Sequence, residues 1–195
     1  SIIQFLYDFR VENGWLSSPY RRAKLINTTT GGITGVAEVH PLTRNRNAWA
    51  VKYNYFFNNW KTSSASTYRL YQDSWGVLSH TFDQRFTREF GRHWNVSVSA
   101  RYYTQHQASF YQDYYYDNPG PFHTGNNTLA TYQSYLIGFR PAYQATDKLN
   151  IFAKAEYFMQ NFANATDAHL LSTLDDDKKL KINAVVIGAG IVVKF

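Results

Sequence analysis

Apolar and polar residues alternate with a period of two along most of this chain. In residues 94–105 one parity reads Trp94, Val96, Val98, Ala100 and Tyr102, and the other reads Asn95, Ser97, Ser99, Arg101, Tyr103 and Gln105. Successive side chains of a strand point to opposite faces, so this segment has one apolar and one polar face. Residues 149–160 repeat the pattern, with Leu149, Ile151, Ala153, Ala155, Tyr157 and Met159 opposite Asn150, Phe152, Lys154, Glu156, Phe158 and Gln160. Trp49, Val51, Tyr53, Tyr55 and Phe57 oppose Ala48, Ala50, Lys52, Asn54 and Asn58, while Ile3, Phe5, Tyr7, Phe9 and Val11 oppose Gln4, Asp8 and Arg10. Weaker alternation in residues 64–73, 77–90, 131–143 and 181–195 brings the expected strands to eight.

These segments run to about 10–14 residues, against the ~5–6 of an ordinary soluble strand. A tilted strand needs roughly 9–11 residues to cross a bilayer. Aromatics recur near segment ends (Tyr7, Trp49, Trp60, Tyr71, Trp75, Trp94, Tyr103, Tyr143, Tyr157), where an interfacial girdle would hold them. The composition agrees: 18% of the chain is aromatic and only 17% charged, well under the roughly 25% charged of an average soluble domain. The competing architecture is a soluble β-sandwich or lipocalin-like barrel with the apolar parity inside. Its outer strand faces would be richer in Lys, Glu and Thr than the polar parity is here.

Connection lengths give a separate test, because outer-membrane barrels alternate short inner turns with long outer loops. The expected inner set is 58–63, 91–92 and 144–148; the outer set is 12–46, 74–76, 106–130 and 161–180. Only the Asp73-Ser74-Trp75-Gly76 turn departs from the alternation. At the chain end Ile187, Ala189, Ile191, Val193 and Phe195 share one parity, and Ile191, Val193 and Phe195 read as an assembly signal for the barrel-assembly machinery. The expectation is an all-β, antiparallel transmembrane β-barrel with about eight strands in this chain, forming one domain over residues 1–195.

Several phrases resemble one family. Gly14-Trp15-Leu16-Ser17-Ser18-Pro19-Tyr20-Arg21 and Pro41-Leu42-Thr43-Arg44-Asn45-Arg46-Asn47-Ala48 are similar to two of its segments. Tyr68-Arg69-Leu70-Tyr71-Gln72-Asp73-Ser74-Trp75-Gly76 and Arg101-Tyr102-Tyr103-Thr104-Gln105 with Ala108-Ser109-Phe110-Tyr111 resemble its two most recognisable motifs. The family consists of uncharacterised bacterial outer-membrane barrels, grouped as a domain of unknown function. The resemblance implies a bacterial outer-membrane location, and covers the C-terminal half of a typical member, so a larger barrel is expected. It implies no activity.

With the polar parity inward, the lumen holds Asp8, Arg10, Lys52, Arg69, Asp73, Asp83, Arg85, Glu89, Arg101, Lys154 and Glu156, with Arg140 as a further member. Charges inside a narrow barrel must be paired, so a neutralising network is the plain expectation. Unpaired inward Arg would instead favour anions in a diffusion pore. The loop carrying Tyr111, Tyr114, Tyr115 and Tyr116 has the Tyr density of a contact surface, or equally of a loop folded over the barrel mouth or into the outer leaflet. It points to a structural or binding platform facing lipopolysaccharide, other envelope proteins or lipoproteins. Asp175-Asp176-Asp177 has hard oxygen donors but no calcium-loop spacing. The six His show no HxH or HxxxH spacing, there is no Cys, and Thr30-Gly31-Gly32-Ile33-Thr34-Gly35 lacks the lysine of a phosphate loop. No enzyme, cofactor, metal or nucleic-acid partner is expected, and the net charge of +6 is scattered along the chain.

Overall fold

The computed structural model describes residues 1–166 and 179–194. In chain order the strands are β1 (Ile2–Asn13), β2 (Arg22–Ile26), β3 (Ile33–Ala37), β4 (Thr43–Phe57), β5 (Thr62–Asp73), β6 (Leu78–Phe90), β7 (Trp94–His106), β8 (Tyr115–Tyr116), β9 (Tyr132–Gln144), β10 (Leu149–Thr166) and β11 (Lys179–Val193). Eight of them form one antiparallel sheet in the order β1-β4-β5-β6-β7-β9-β10-β11, so every strand in it lies beside its successor in that set. The remaining three form a small sheet in the order β3-β2-β8. The large sheet is open: β1 and β11 are its edges, and among the described residues no ladder joins them.

Register keeps the two parities apart across the whole sheet. Phe5 pairs with Val51, Val51 with Tyr68, Tyr68 with Phe82, Phe82 with Tyr102 and Tyr102 with Tyr135. On the other face Lys52 pairs with Thr67, Thr67 with Asp83, Asp83 with Arg101 and Arg101 with Leu136. Side chains from β4 and β10, five positions apart in the sheet order, line a single cavity on this polar face, so the sheet curls with the polar face concave. The apolar face is left bare: Phe5, Phe82, Phe86, Ile137, Phe139, Ile187 and Ile191 are all exposed there. The inward face of residues 131–143, ambiguous in the sequence, carries Ser134, Leu136, Gly138, Arg140 and Ala142.

The expected loops shrink at both ends. β1 runs on to Asn13 and β4 starts at Thr43 because Glu12, Arg44 and Arg46 sit in ladder register, with Arg46 Nη2 2.8 Å from Glu12 Oε2. β10 likewise continues to Thr166 and β11 begins at Lys179, both inside the expected 161–180 loop. The short connections between β4 and β5, β6 and β7, and β9 and β10 all lie at one end of the sheet, and the longer ones at the other.

At that other end the loops fold into a cap with its own apolar core. Trp75, Val77, Ala108, Tyr111, Leu129, Ala130, Phe162 and Ala165 are buried together. Tyr71 and Tyr132, which pack against this cluster, and Phe162 within it lie on the concave parity of their strands, so the cap covers that mouth of the trough. The β5–β6 turn is short because it feeds this core. Trp75 is 4% exposed, its Nε1 donates to Thr43 O at 2.9 Å, and the Arg44 guanidinium lies 4.2 Å above its ring. Trp75 is therefore a core residue of the cap, and Tyr71 and Tyr103 face the trough; these three do not belong to an exposed girdle.

Candidate functional site

The concave face gathers charged and polar side chains from alternate strand positions, interspersed with Ala50, Ala65, Leu136 and Gly138. Lys52, Asp83, Arg85, Arg101 and Glu156 line a cavity of about 520 Å³. Arg101 Nε donates to Asp83 Oδ1 at 2.5 Å, and Lys154 Nζ lies 2.8 Å from Glu156 Oε2. A smaller hollow of about 270 Å³ gathers Asp8, Arg10, Arg46 and Arg69, with Arg10 Nη2 3.1 Å from Asp8 Oδ2. Among the described residues no carboxylate comes within 4.0 Å of Lys52, Arg69 or Arg85. Arg140 joins this face and holds its guanidinium 4.2 Å over the Phe152 ring. Glu89 sits at the uncapped end, opposite Asn95. Arg44, Arg46 and Glu12 also belong to the face, and sequence reasoning had left all three in a loop. Two cations against one carboxylate tilt the trough further toward positive charge.

Asp73 has a different role from its neighbours. Its side chain is fully buried beneath the cap and accepts five hydrogen bonds. Trp75 N and Val77 N each donate to Oδ1 at 3.0 Å, while Oδ2 receives Arg44 Nε at 2.8 Å, Arg44 Nη2 at 2.5 Å and Tyr71 OH at 2.7 Å. Its charge is spent on shaping the β5–β6 turn rather than facing a solute. Gly76 completes that turn at φ +89°, with the Ser109 backbone close to where a Cβ would stand.

The cap is the second polar concentration. Tyr111 and Tyr115, read from sequence as contact residues, are 1% and 3% exposed and form part of its interior. Tyr115 OH donates to Phe110 O at 2.7 Å and accepts from Thr124 N at 2.9 Å. Burial, and then the nearby Asp113 charge, push the Tyr111 hydroxyl well above the usual phenol range. Tyr114 is half-buried with Lys24 Nζ 4.5 Å over its ring, and Tyr116 alone of the four is exposed. The strong local aromatic density thus marks a core, which a run without regular alternation conceals. A buried Glu38 binds the cap internally: Oε1 accepts Ser18 N at 2.7 Å, Oε2 accepts Thr124 Oγ1 at 2.8 Å, and His40 Nε2 lies 3.4 Å away. At the hairpin tip Thr28 N and Oγ1 donate to Asp117 at 2.8 and 2.5 Å, which holds that carboxyl below its ordinary value.

Of the proposed assembly signal, Ile191 and Val193 lie on the exposed apolar face, and Phe195 lies outside the described residues. Asp175, Asp176 and Asp177 do as well. Among the described residues no three His, Cys, Asp or Glu side chains gather as metal ligands.

The architecture defines an all-β protein: a curled antiparallel sheet with a charged trough on one face, a bare apolar surface on the other, and a loop cap over one mouth. By its sequence the chain belongs to the family described as protein of unknown function (DUF3570), whose model matches residues 1–175. No curated protein and no solved structure matches it.

Proposed function

We propose that the chain forms the wall of an integral outer-membrane β-barrel, with its loop cap serving as a binding platform at the cell surface. The observation that carries this reading is the exposed, mainly apolar face that runs across all eight strands of the large sheet. Soluble monomers rarely expose contiguous apolar patches beyond a few hundred Å². On β6 the outward band from His80 to Phe90 runs roughly 34 Å along the strand, and about 26 Å in height at the ~40° tilt of membrane barrels. That matches a hydrocarbon-facing belt of about 25 Å. Bilayer lipid also demands that both sheet edges be paired, so β1 and β11 meet each other or further strands.

The platform reading moves from Tyr111 and Tyr115 to the aromatics that the cap presents outward. Tyr20 is 93% exposed, and Tyr116 and Phe122 are exposed as well. Photo-crosslinking from Tyr20 and Tyr116 in cells should capture envelope proteins or lipopolysaccharide, and replacing both with Ser should abolish capture while the barrel stays heat-modifiable on gels. Protein that remains soluble after detergent removal would sink the membrane reading itself.

A second reading has its own support in Lys52, Arg69 and Arg85, which lack carboxylate partners among the described residues. They suit a diffusion pore for small anions. Stepwise anion-selective conductance in planar bilayers would favour that pore over the platform.

A further inference from the structure

The apolar face is interrupted at three places on β5 and β6, and two of them are self-contained. Gln84 bonds to Ser64 at 2.9 Å and Ser66 at 2.5 Å, and Tyr68 OH lies 2.7 Å from His80 Nδ1. Those polar groups satisfy one another and need nothing from outside. Arg88 is the third, and no such partner answers it. It pairs in register with Thr62 and Val96, on the same parity as Phe82, Phe86 and Phe90. Its guanidinium lies 4.9 Å from the centre of the Phe90 ring, and it makes no ion pair or side-chain hydrogen bond among the described residues. Five N–H donors that never deprotonate are therefore presented to whatever covers this face.

The surroundings of Arg88 specify what that is. It borders a groove of about 400 Å³ whose walls are Phe57, Trp60, Phe86, Phe90 and Val98. Trp60 is 65% exposed, and its indole N–H has no protein acceptor among the described residues. The groove lies at the end with the short connections, so Lys61 and Arg92 in the flanking turns stand close to it, and neither forms an ion pair among the described residues. Arg88 and one free indole donor thus border an aromatic trench whose walls hold no carboxylate, with Lys61 and Arg92 in the adjoining turns. Arg88 lies only about 5 Å inside the end of the outward band, so its long side chain reaches the headgroup level, where a charge costs close to nothing against about 2–4 kcal/mol at mid-bilayer.

We infer that this groove is a binding site for one anionic glycerophospholipid of the inner leaflet, with its phosphate on the Arg88 guanidinium and an acyl chain along Phe57, Phe86 and Val98. Trp60 Nε1 is placed to donate to the headgroup or its ester oxygens. Lys61 and Arg92 add the charge that favours a net-negative headgroup over a zwitterionic one. The inference rests on the membrane reading, since only there does the outward face meet lipid.

The test is native mass spectrometry of the full-length protein released from detergent, titrated with phosphatidylglycerol or phosphatidylcholine. The wild type should keep one phosphatidylglycerol through detergent exchange and bind it more tightly than phosphatidylcholine. Arg88→Gln should weaken that adduct about tenfold or more, the size of a lost charge-assisted hydrogen bond. Arg88→Lys should recover part of it, and Trp60→Phe should weaken it less. Arg88 packs only on a ring at the surface, so all variants should remain heat-modifiable. Equal retention of phosphatidylglycerol by wild type and Arg88→Gln, in protein that still requires detergent, overturns the site and leaves the barrel standing. Protein that needs no detergent overturns both.

Discussion

Asp73 shows how one carboxylate can join a turn, a strand and a cap. Removing it strands Arg44 and two backbone N–H groups in a buried place, and breaking a buried pair typically costs about 3–5 kcal/mol. Asp73→Ala should therefore open the cap to protease at the 106–131 connection, whereas Asp73→Asn keeps an acceptor for Trp75 N and Val77 N and should open it less. Cleavage patterns on intact protein in detergent would separate the two. At the hairpin tip, Asp117 is held in its charged form by Thr28, below the ordinary value of 3.8. A depressed carboxyl contributes stability above its unfolded value and loses it as pH falls through the folded one. Acidification below about pH 4 should therefore release the 27–32 hairpin from Asp117, read as faster amide exchange at Thr28, and Thr28→Val, which keeps only the backbone donor, should weaken that pH dependence.

Among elements, the long strands were legible because outward apolar and trough-facing residues alternate so regularly. Leu149, Ile151 and Ala153 against Asn150 and Lys154 leave little choice of face. The strand ends were not legible, since past Val11 the ladder is held by Glu12, Arg44 and Arg46, and charge pairing has no hydropathy period. β2 and β3 are five residues each and β8 only two, too short to show alternation, although Arg22–Ile26 and Ile33–Ala37 flank an Asn27-Thr28-Thr29-Thr30-Gly31-Gly32 turn that a hairpin search would catch. The trough charges were readable as a set, but their pairing was not, because partners such as Asp83 and Arg101 meet only through register. The cap depends on close backbone approach: a Cβ at Gly125 would collide with the Arg22 carbonyl. Gly125→Val should push β2 off the 123–126 segment and melt the small sheet while leaving the large one intact. Far-UV circular dichroism that barely changes, together with new protease sites in residues 22–37, would bear this out.

For the whole molecule, in the proposed barrel the cap covers one mouth of the charged trough. Trp75, Tyr111 and Phe162 close one mouth, so the intact protein should carry little current in planar bilayers. Deleting residues 113–121 removes β8 and Tyr115, and should leave a heat-modifiable barrel with raised, anion-favouring conductance. An unchanged current would show that the wall itself, filled by Arg101, Glu156 and their neighbours, is the barrier.

The cap's core also dictates an order of assembly. It joins Trp75 of the β5–β6 turn, Tyr111 of the connection after β7 and Phe162 of β10. No hairpin can bury them alone. In the proposed barrel the strands must be seated first, while their outer loops travel across as loose chain, and the clasp snaps shut only when β10 arrives. A nascent chain halted before Phe162 would carry its outer loops unlatched, exposed to every protease outside.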